Sequence, residues 1–133
     1  MIDVILVNDG LDVVAGAQGP QGEPAIMDLA VGFENFTAGQ VLRGPVLAHP
    51  LVATNAASVA HAAAAPTTTS QAVTIFNNGV QVGVAVWSVG AVQGVVTYAG
   101  SVFIGAKGDF LTYQAPNPLD AAFSHFAITH AGP

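Results

Sequence analysis

Four histidines, five serines and eight carboxylates are what this 133-residue chain offers for acid-base, metal or nucleophilic chemistry. His49 and His61 fall in an alanine-rich, loop-like stretch, and His125 and His130 on or just after the last apolar segment. No pair has the i, i+4 spacing and carboxylate company of a zinc enzyme site. Five residues apart on a strand, His125 and His130 point to opposite faces. The histidines read as surface or interface groups, and only a three-fold axis gathering three copies of one would make an ion site. No serine sits in a Gly-x-Ser-x-Gly elbow. The carboxylates are scattered, without the close pair a glycosidase needs. No Gly-x-Gly-x-x-Gly run opens a helix, and there is no Walker loop. The expectation is no catalytic residue, no metal and no cofactor. Lys107-Gly108-Asp109 looks like an integrin-type tripeptide, but Gly-Asp between two strands is ordinary turn chemistry.

Arg43 and Lys107 are the two basic residues, and the net charge is −6. This argues against nucleic acid or an anionic membrane as partner. No cysteine is present, which excludes disulfide scaffolds, thiolate sites and cysteine nucleophiles. Hydrophobic residues make up 52% and charged residues 8%, against roughly 25% charged in an ordinary soluble domain. A monomer of this size has too small an interior for that apolar excess, so it must go into lipid or against other copies. Lipid is the weaker outlet. The best candidate span, Val46 to Pro66, is interrupted by His49, Pro50, Thr54, Asn55, Ser58 and His61, and Val80 to Val102 by four glycines. Neither gives the ~20 consecutive apolar residues of a membrane helix. Met1-Ile2-Asp3-Val4 lacks the basic start of a secretory signal.

Three pieces can be told apart. Residues 1–15 hold two apolar runs, Val4 to Val7 and Leu11 to Val14, around Asn8-Asp9-Gly10, a hairpin signal. A two-stranded hairpin is marginal alone, so it should dock on its own oligomer or on another protein. Residues 16–25 carry Gly16, Gly19 and Gly22 at every third position, with Pro20 and Pro24 between. Glycine in this period is what a triple helix requires, because three polyproline-II chains meet at an axis with no room for Cβ; the other reading is a Gly/Pro/Gln linker. Residues 26–133 form the globular domain. Its clearest pair is Val73 to Phe76, then Asn77-Asn78-Gly79, then Val80 to Val86 with valine at every second position. Further strands are expected at 28–36, 40–46, 94–98, 102–104, 110–114 and 122–129. Ala53 to Ala65 has helix-forming alanine, but Asn55, Ser58 and the following Pro66-Thr67-Thr68-Thr69-Ser70 favour an irregular surface connection. The whole predicts an all-β, antiparallel β-sandwich or jelly-roll-like domain. Trp87 is out of phase with the valine row and points away from it. It reads as an interface anchor or part of a sugar-binding platform.

The order of several short motifs resembles the C-terminal domain of many tailed-bacteriophage tail-fibre proteins. These are the Gly-X-Y run followed by Asp28-Leu29-Ala30, Thr37 to Arg43, Phe76 to Gly83, Gly108 to Thr112, Ala115-Pro116, Asp120 to Phe123, Ala127-Ile128-Thr129 and Ala131-Gly132. The resemblance spans residues 26–133 and implies a homotrimeric β-sandwich knob at the end of a fibre, preceded by a short collagen-like stem.

On that resemblance the expected function is a non-enzymatic virion protein, on the exterior of tail or capsid. A trimeric short tail fibre or adhesin would present its knob for host-surface attachment, converting weak contacts into firm ones by avidity. Trp87, Tyr113 and Asn117 are the candidate receptor or interface contacts for a host glycan or protein. The alternative is a capsid decoration protein or head fibre, anchored to other virion proteins by Ile2, Val4, Ile5, Leu6 and Val7 through strand addition. A glycan-cleaving enzyme is a third reading, requiring a carboxylate pair at a subunit boundary. Neither nucleic acid nor membrane insertion is expected.

Overall fold

In the computed structural model, residues 2–7, 11–17 and 28–132 are described. They form twelve strands: β1 (Ile2–Val7), β2 (Leu11–Ala17), β3 (Leu29–Phe33), β4 (Val41–Val46), β5 (Leu51–Thr54), β6 (Val59–Ala64), β7 (Gln71–Asn77), β8 (Val80–Trp87), β9 (Gln93–Tyr98), β10 (Val102–Gly105), β11 (Phe110–Gln114) and β12 (Ser124–His130). The expectation of an all-β, antiparallel chain holds. Ten strands make one sheet in the order β1-β2-β3-β12-β6-β9-β8-β7-β11-β4, and β5 pairs with β10 in a small second one. The large sheet curls until β4 comes back beside β3, so that it nearly closes into a barrel. Curling gives every strand an inner and an outer face, which is why period-2 alternation is so legible here.

The β7–β8 hairpin forms where the Asn-Gly signal places it. Asn78 (φ 51°) and Gly79 (φ 81°) both lie in the left-handed region, the backbone that a two-residue type I′ turn needs. Beyond the turn the register slips by one residue between Ile75 and Phe76. From Gly83 on, Gly83, Ala85 and Trp87 face inward while Val84 and Val86 face out. The valine row is therefore the outer row and Trp87 belongs to the core.

One expectation is corrected. Ala53 to Ala65 is not an irregular connection. It contains the second half of β5 and all of β6, and β6 is interior to the large sheet, between β12 and β9. Ala60 and Ala62 are buried and stand opposite Ile128 and Phe126 of β12. Alanine is a poor strand former in isolation, but here its small side chain leaves the inner face free for the large rings of the neighbouring strand.

The N-terminal hairpin docks on the chain's own β3. β2 pairs with β3 with Ala15 opposite Leu29, and β1 lies outermost. Gly16 is thus part of β2 rather than the start of a stem, while Gly19, Pro20, Gly22 and Pro24 lie outside the described residues. The register brings the chain back at Leu29 to the place it left at Ala15, whereas a polyproline-II chain advances about 3 Å per residue along one axis. A straight stem over this segment therefore requires β2 to leave β3.

Candidate functional site

Asp120 precedes β12 in a loop and accepts hydrogen bonds on Oδ2 from the backbone N–H of Thr67 (2.9 Å), Thr68 (2.8 Å) and Thr69 (3.3 Å) and from Thr68 Oγ1 (2.9 Å). Its Oδ1 accepts from Ala122 N (2.9 Å). Successive N–H groups converging on one point make an anion nest, and the chain fills this one with its own carboxylate. The buried Gln71 completes the joint, accepting from Asp120 N and donating to Pro118 O. The Thr68 and Ala122 N–H groups hold the Asp120 carboxyl well below the usual carboxylate range. Its folded-state value is depressed, so the stabilisation is present above the ordinary range and is lost as pH falls below it. Asp120→Ala is expected to lower the melting temperature by more than about 5 °C, because these five donors and Thr67 Oγ1 lose their acceptor at once. Differential scanning calorimetry at pH 7 reads this directly, and an unchanged midpoint would mean that the loop is held elsewhere.

Asp109 makes the corresponding joint at the other turn. It accepts from Ala106 N (2.9 Å), Asn77 Nδ2 (2.9 Å) and Asn78 Nδ2 (3.1 Å), and Asn78 Oδ1 accepts from Phe110 N (2.9 Å). The β10–β11 turn is clamped to the β7–β8 turn, and the same bonds, Ala106 N–H first, lower the Asp109 pKa. Lys107-Gly108-Asp109 is a turn, as expected, with its carboxylate already committed.

The four histidines are dispersed. His61 and His125 are exposed, on β6 and β12, and His49 lies in the β4–β5 connection. Among the described residues no three His, Asp or Glu side chains gather as a metal would require. His130 is fully buried at the end of β12. Its Nδ1 meets Tyr98 Oη, its Nε2 meets Tyr113 Oη at 2.7 Å, and Tyr98 Oη continues to Ser58 Oγ at 3.0 Å. Ser58 Oγ accepts from Ala131 N (3.0 Å) and reaches Ala131 O (3.3 Å). One direction of donation gives every hydroxyl proton an acceptor: Tyr113 to Nε2, Nδ1–H to Tyr98, Tyr98 to Ser58, Ser58 to Ala131 O. We assign the neutral Nδ1–H tautomer on that ground. Burial pushes His130 down to about 4, Tyr98 up to about 12, and Tyr113 well above the ordinary tyrosine value. This chain of groups is a satisfied polar core joining β6, β9, β11 and β12. Sequence reading missed it because its members are scattered from residue 58 to 131 and meet only when the sheet curls.

The three candidate contacts separate. Trp87 and Tyr113 are both 0% exposed, which corrects their reading as receptor contacts presented by the single chain. The indole of Trp87 packs edge-on against Phe123 (5.0 Å) and Phe126 (5.8 Å), and its Nε1 donates to Val92 O. Asn117 is exposed and lines a cleft of about 280 Å³ with Ser70, Ala72, Thr74, Gln114, Ala115, Pro116 and Pro118. The cleft offers hydroxyls and amides and no charge. A larger groove, about 480 Å³, runs over the outer face of β6 and β9 between Val59, His61, Gln93 and Val95. No helix among the described residues is long and apolar enough to cross a membrane. Compared with known proteins, the chain matches no family model, no curated protein and no solved structure.

Proposed function

We propose that this chain is a structural and adhesive protein of a bacteriophage particle, a homotrimer whose β-sandwich knob, in jelly-roll connectivity, is displayed for attachment to the host surface. The observation that carries the reading is where the motif residues fall. Phe76 to Gly83 and Gly108 to Thr112 meet at the Asp109 clamp, while Asp120 to Phe123 supply the carboxylate and the Ala122 N–H of the second joint, whose nest is made by Thr67 to Thr69. That three of the motifs sit at joints of this curled sheet supports the reading. The uncharged cleft around Asn117 suits a hydroxyl-rich neutral ligand, which an acidic particle can approach without counter-charge. Three such clefts per trimer would supply avidity.

A second reading, a capsid decoration protein or head fibre, draws support from β1. It terminates the large sheet, and a terminal strand is the place where another protein can add one of its own. Immunogold labelling of intact particles with an antibody against residues 26–133 tests both. Gold at the tail tip is the expected result. Gold spread over the capsid would move the function to decoration, and unlabelled purified particles would overturn a virion role.

The triplets are tested by Gly19→Ala. If three chains wind together there, with β2 released from β3, a Cβ at the crowded axis lowers the melting temperature of the trimer. An unchanged melting curve would leave the segment as the connection between β2 and β3.

A further inference from the structure

We infer that the outer face of the four neighbouring strands β12, β6, β9 and β8 is the surface on which copies of this chain meet, with Val59 and Val95 at the centre of the contact. The inference rests on the homotrimer in the reading above and names the face that would build it.

The register lays the row out. Thr129 of β12 stands opposite Val59 of β6, and Val95 of β9 opposite Val86 of β8. Because Ala60 pairs with Gly94, Val59 and Val95 face one another across the β6–β9 boundary. The result is one outward row over four strands. Val59 is 60% and Val95 68% exposed. Pairing between β6 and β9 is confined to Ala60–Gly94 and His61–Gln93, and beside it lies the 480 Å³ groove that both valines line. The face therefore carries a groove able to take side chains from a partner. None of the four strands carries an Asp, Glu, Lys or Arg. A sheet face that stays in water ordinarily alternates core residues with charged or polar ones. This one mixes neutral polar groups, His61, Gln93, Thr97, His125 and Thr129, with exposed Val59, Val86 and Val95 and carries no Asp, Glu, Lys or Arg among them.

Charge selects the occupant. Each copy carries −6, so two copies repel wherever their carboxylates approach, and self-contact belongs on a face that has none. A basic or acidic partner would find no counter-charge there. The apolar excess of the composition is then covered by the chain's own copies.

Sedimentation velocity of the full chain, beside Val59→Asp/Val95→Asp, tests this. Ile104→Asp is the control, since Ile104 is 70% exposed on β10, outside the large sheet. The expected result is a trimer for the parent and for Ile104→Asp, and a monomer with unchanged circular dichroism for the double variant. A double variant that stays trimeric, or an Ile104→Asp chain that dissociates, overturns the assignment of this face while leaving the homotrimer standing. A parent chain that is monomeric at about 0.1 mM overturns both. Should the double variant fail to fold, a photo-crosslinking residue at position 95 reads the same contact. Crosslinks to β6, β8, β9 or β12 of another copy support the face, and crosslinks only elsewhere overturn it.

Discussion

Trp87→Ala is expected to destabilise the domain by about 3–5 kcal/mol, the range for removing a large buried aromatic side chain from a core. For a domain near 100 residues that is roughly 10–20 °C in melting temperature. The indole lies beneath β9, where Gly94 makes room for it: a Cβ at position 94 would fall 2.7 Å from Trp87 Cε2. Phe123 and Phe126 meet it edge-on at 5.0 and 5.8 Å, and Val92 O accepts from its Nε1 at 3.0 Å. Truncation leaves a cavity among these rings, and with Phe126 held in the β12 ladder and Phe123 in the turn before it by its N–H to Asp120 O, they cannot collapse into it. It also leaves that carbonyl with one donor fewer. Trp87→Phe keeps much of the volume and should cost less. Thermal unfolding by near-ultraviolet circular dichroism separates this from a receptor role. A contact residue would lose binding with an unchanged midpoint, and a shift under about 3 °C for Trp87→Ala would refute the core assignment.

The same residue shows how much the sequence discloses. Its phase against the valine row was readable from spacing, because side chains alternate strictly along a strand. Which of the two faces is the inside was not, because both rows are apolar: valine outside, alanine, glycine and tryptophan inside. In an ordinary soluble sheet, polar residues mark the outer row. On β8 from Gly83 to Trp87 neither row is polar, so the contrast that would identify the outer face is missing there, whereas His61, Gln93, Thr97, His125 and Thr129 mark it on β6, β9 and β12. β6 was obscured for a related reason, since Val-Ala-His-Ala-Ala-Ala alternates in burial but hardly in hydropathy. The turns were legible, because Asn78-Gly79 and Gly108-Asp109 announce backbone conformations that few other residues adopt. The joints behind them were not, since Asp109 with Asn77 and Asp120 with Thr67 are paired across 32 and 53 residues. Asn117 is the one candidate contact that stays on the surface, being in a proline-flanked loop. Tyr113 shares the inner face of β11 with Leu111, where its hydroxyl meets Nε2 of the buried His130.

That histidine gives the chain its steepest expected response to acid. Burial holds His130 at about 4 in the folded state, against 6.5 ordinarily. Its folded value is depressed, so the unfolded chain binds more protons between those two values. The contribution of the neutral core is fully present above pH 6.5 and is lost as pH falls from 6.5 to about 4. The difference corresponds to about 3 kcal/mol over the window. The hydrogen bonds account for the cost of protonation beyond burial alone. A proton on Nε2 takes the position of the Tyr113 hydroxyl proton, which then has no acceptor, and places a charge among rings with no carboxylate in the chain of contacts. Asp120 and Asp109, both depressed, continue the loss below the ordinary carboxylate range. At the other extreme Tyr98 is raised to about 12 and Tyr113 is also raised, so stability holds up to about pH 10 and declines above it. Urea midpoints taken from pH 7 to pH 4 should fall throughout the interval. His130→Gln should be less stable at pH 7 yet nearly flat over the same range, because the group that takes up the proton on unfolding is gone. A parent chain whose midpoint stays constant from pH 7 to pH 4.5 would show that His130 is not kept neutral by this fold, and the Ser58–Tyr98–His130–Tyr113 chain would lose its place as the polar centre of the core.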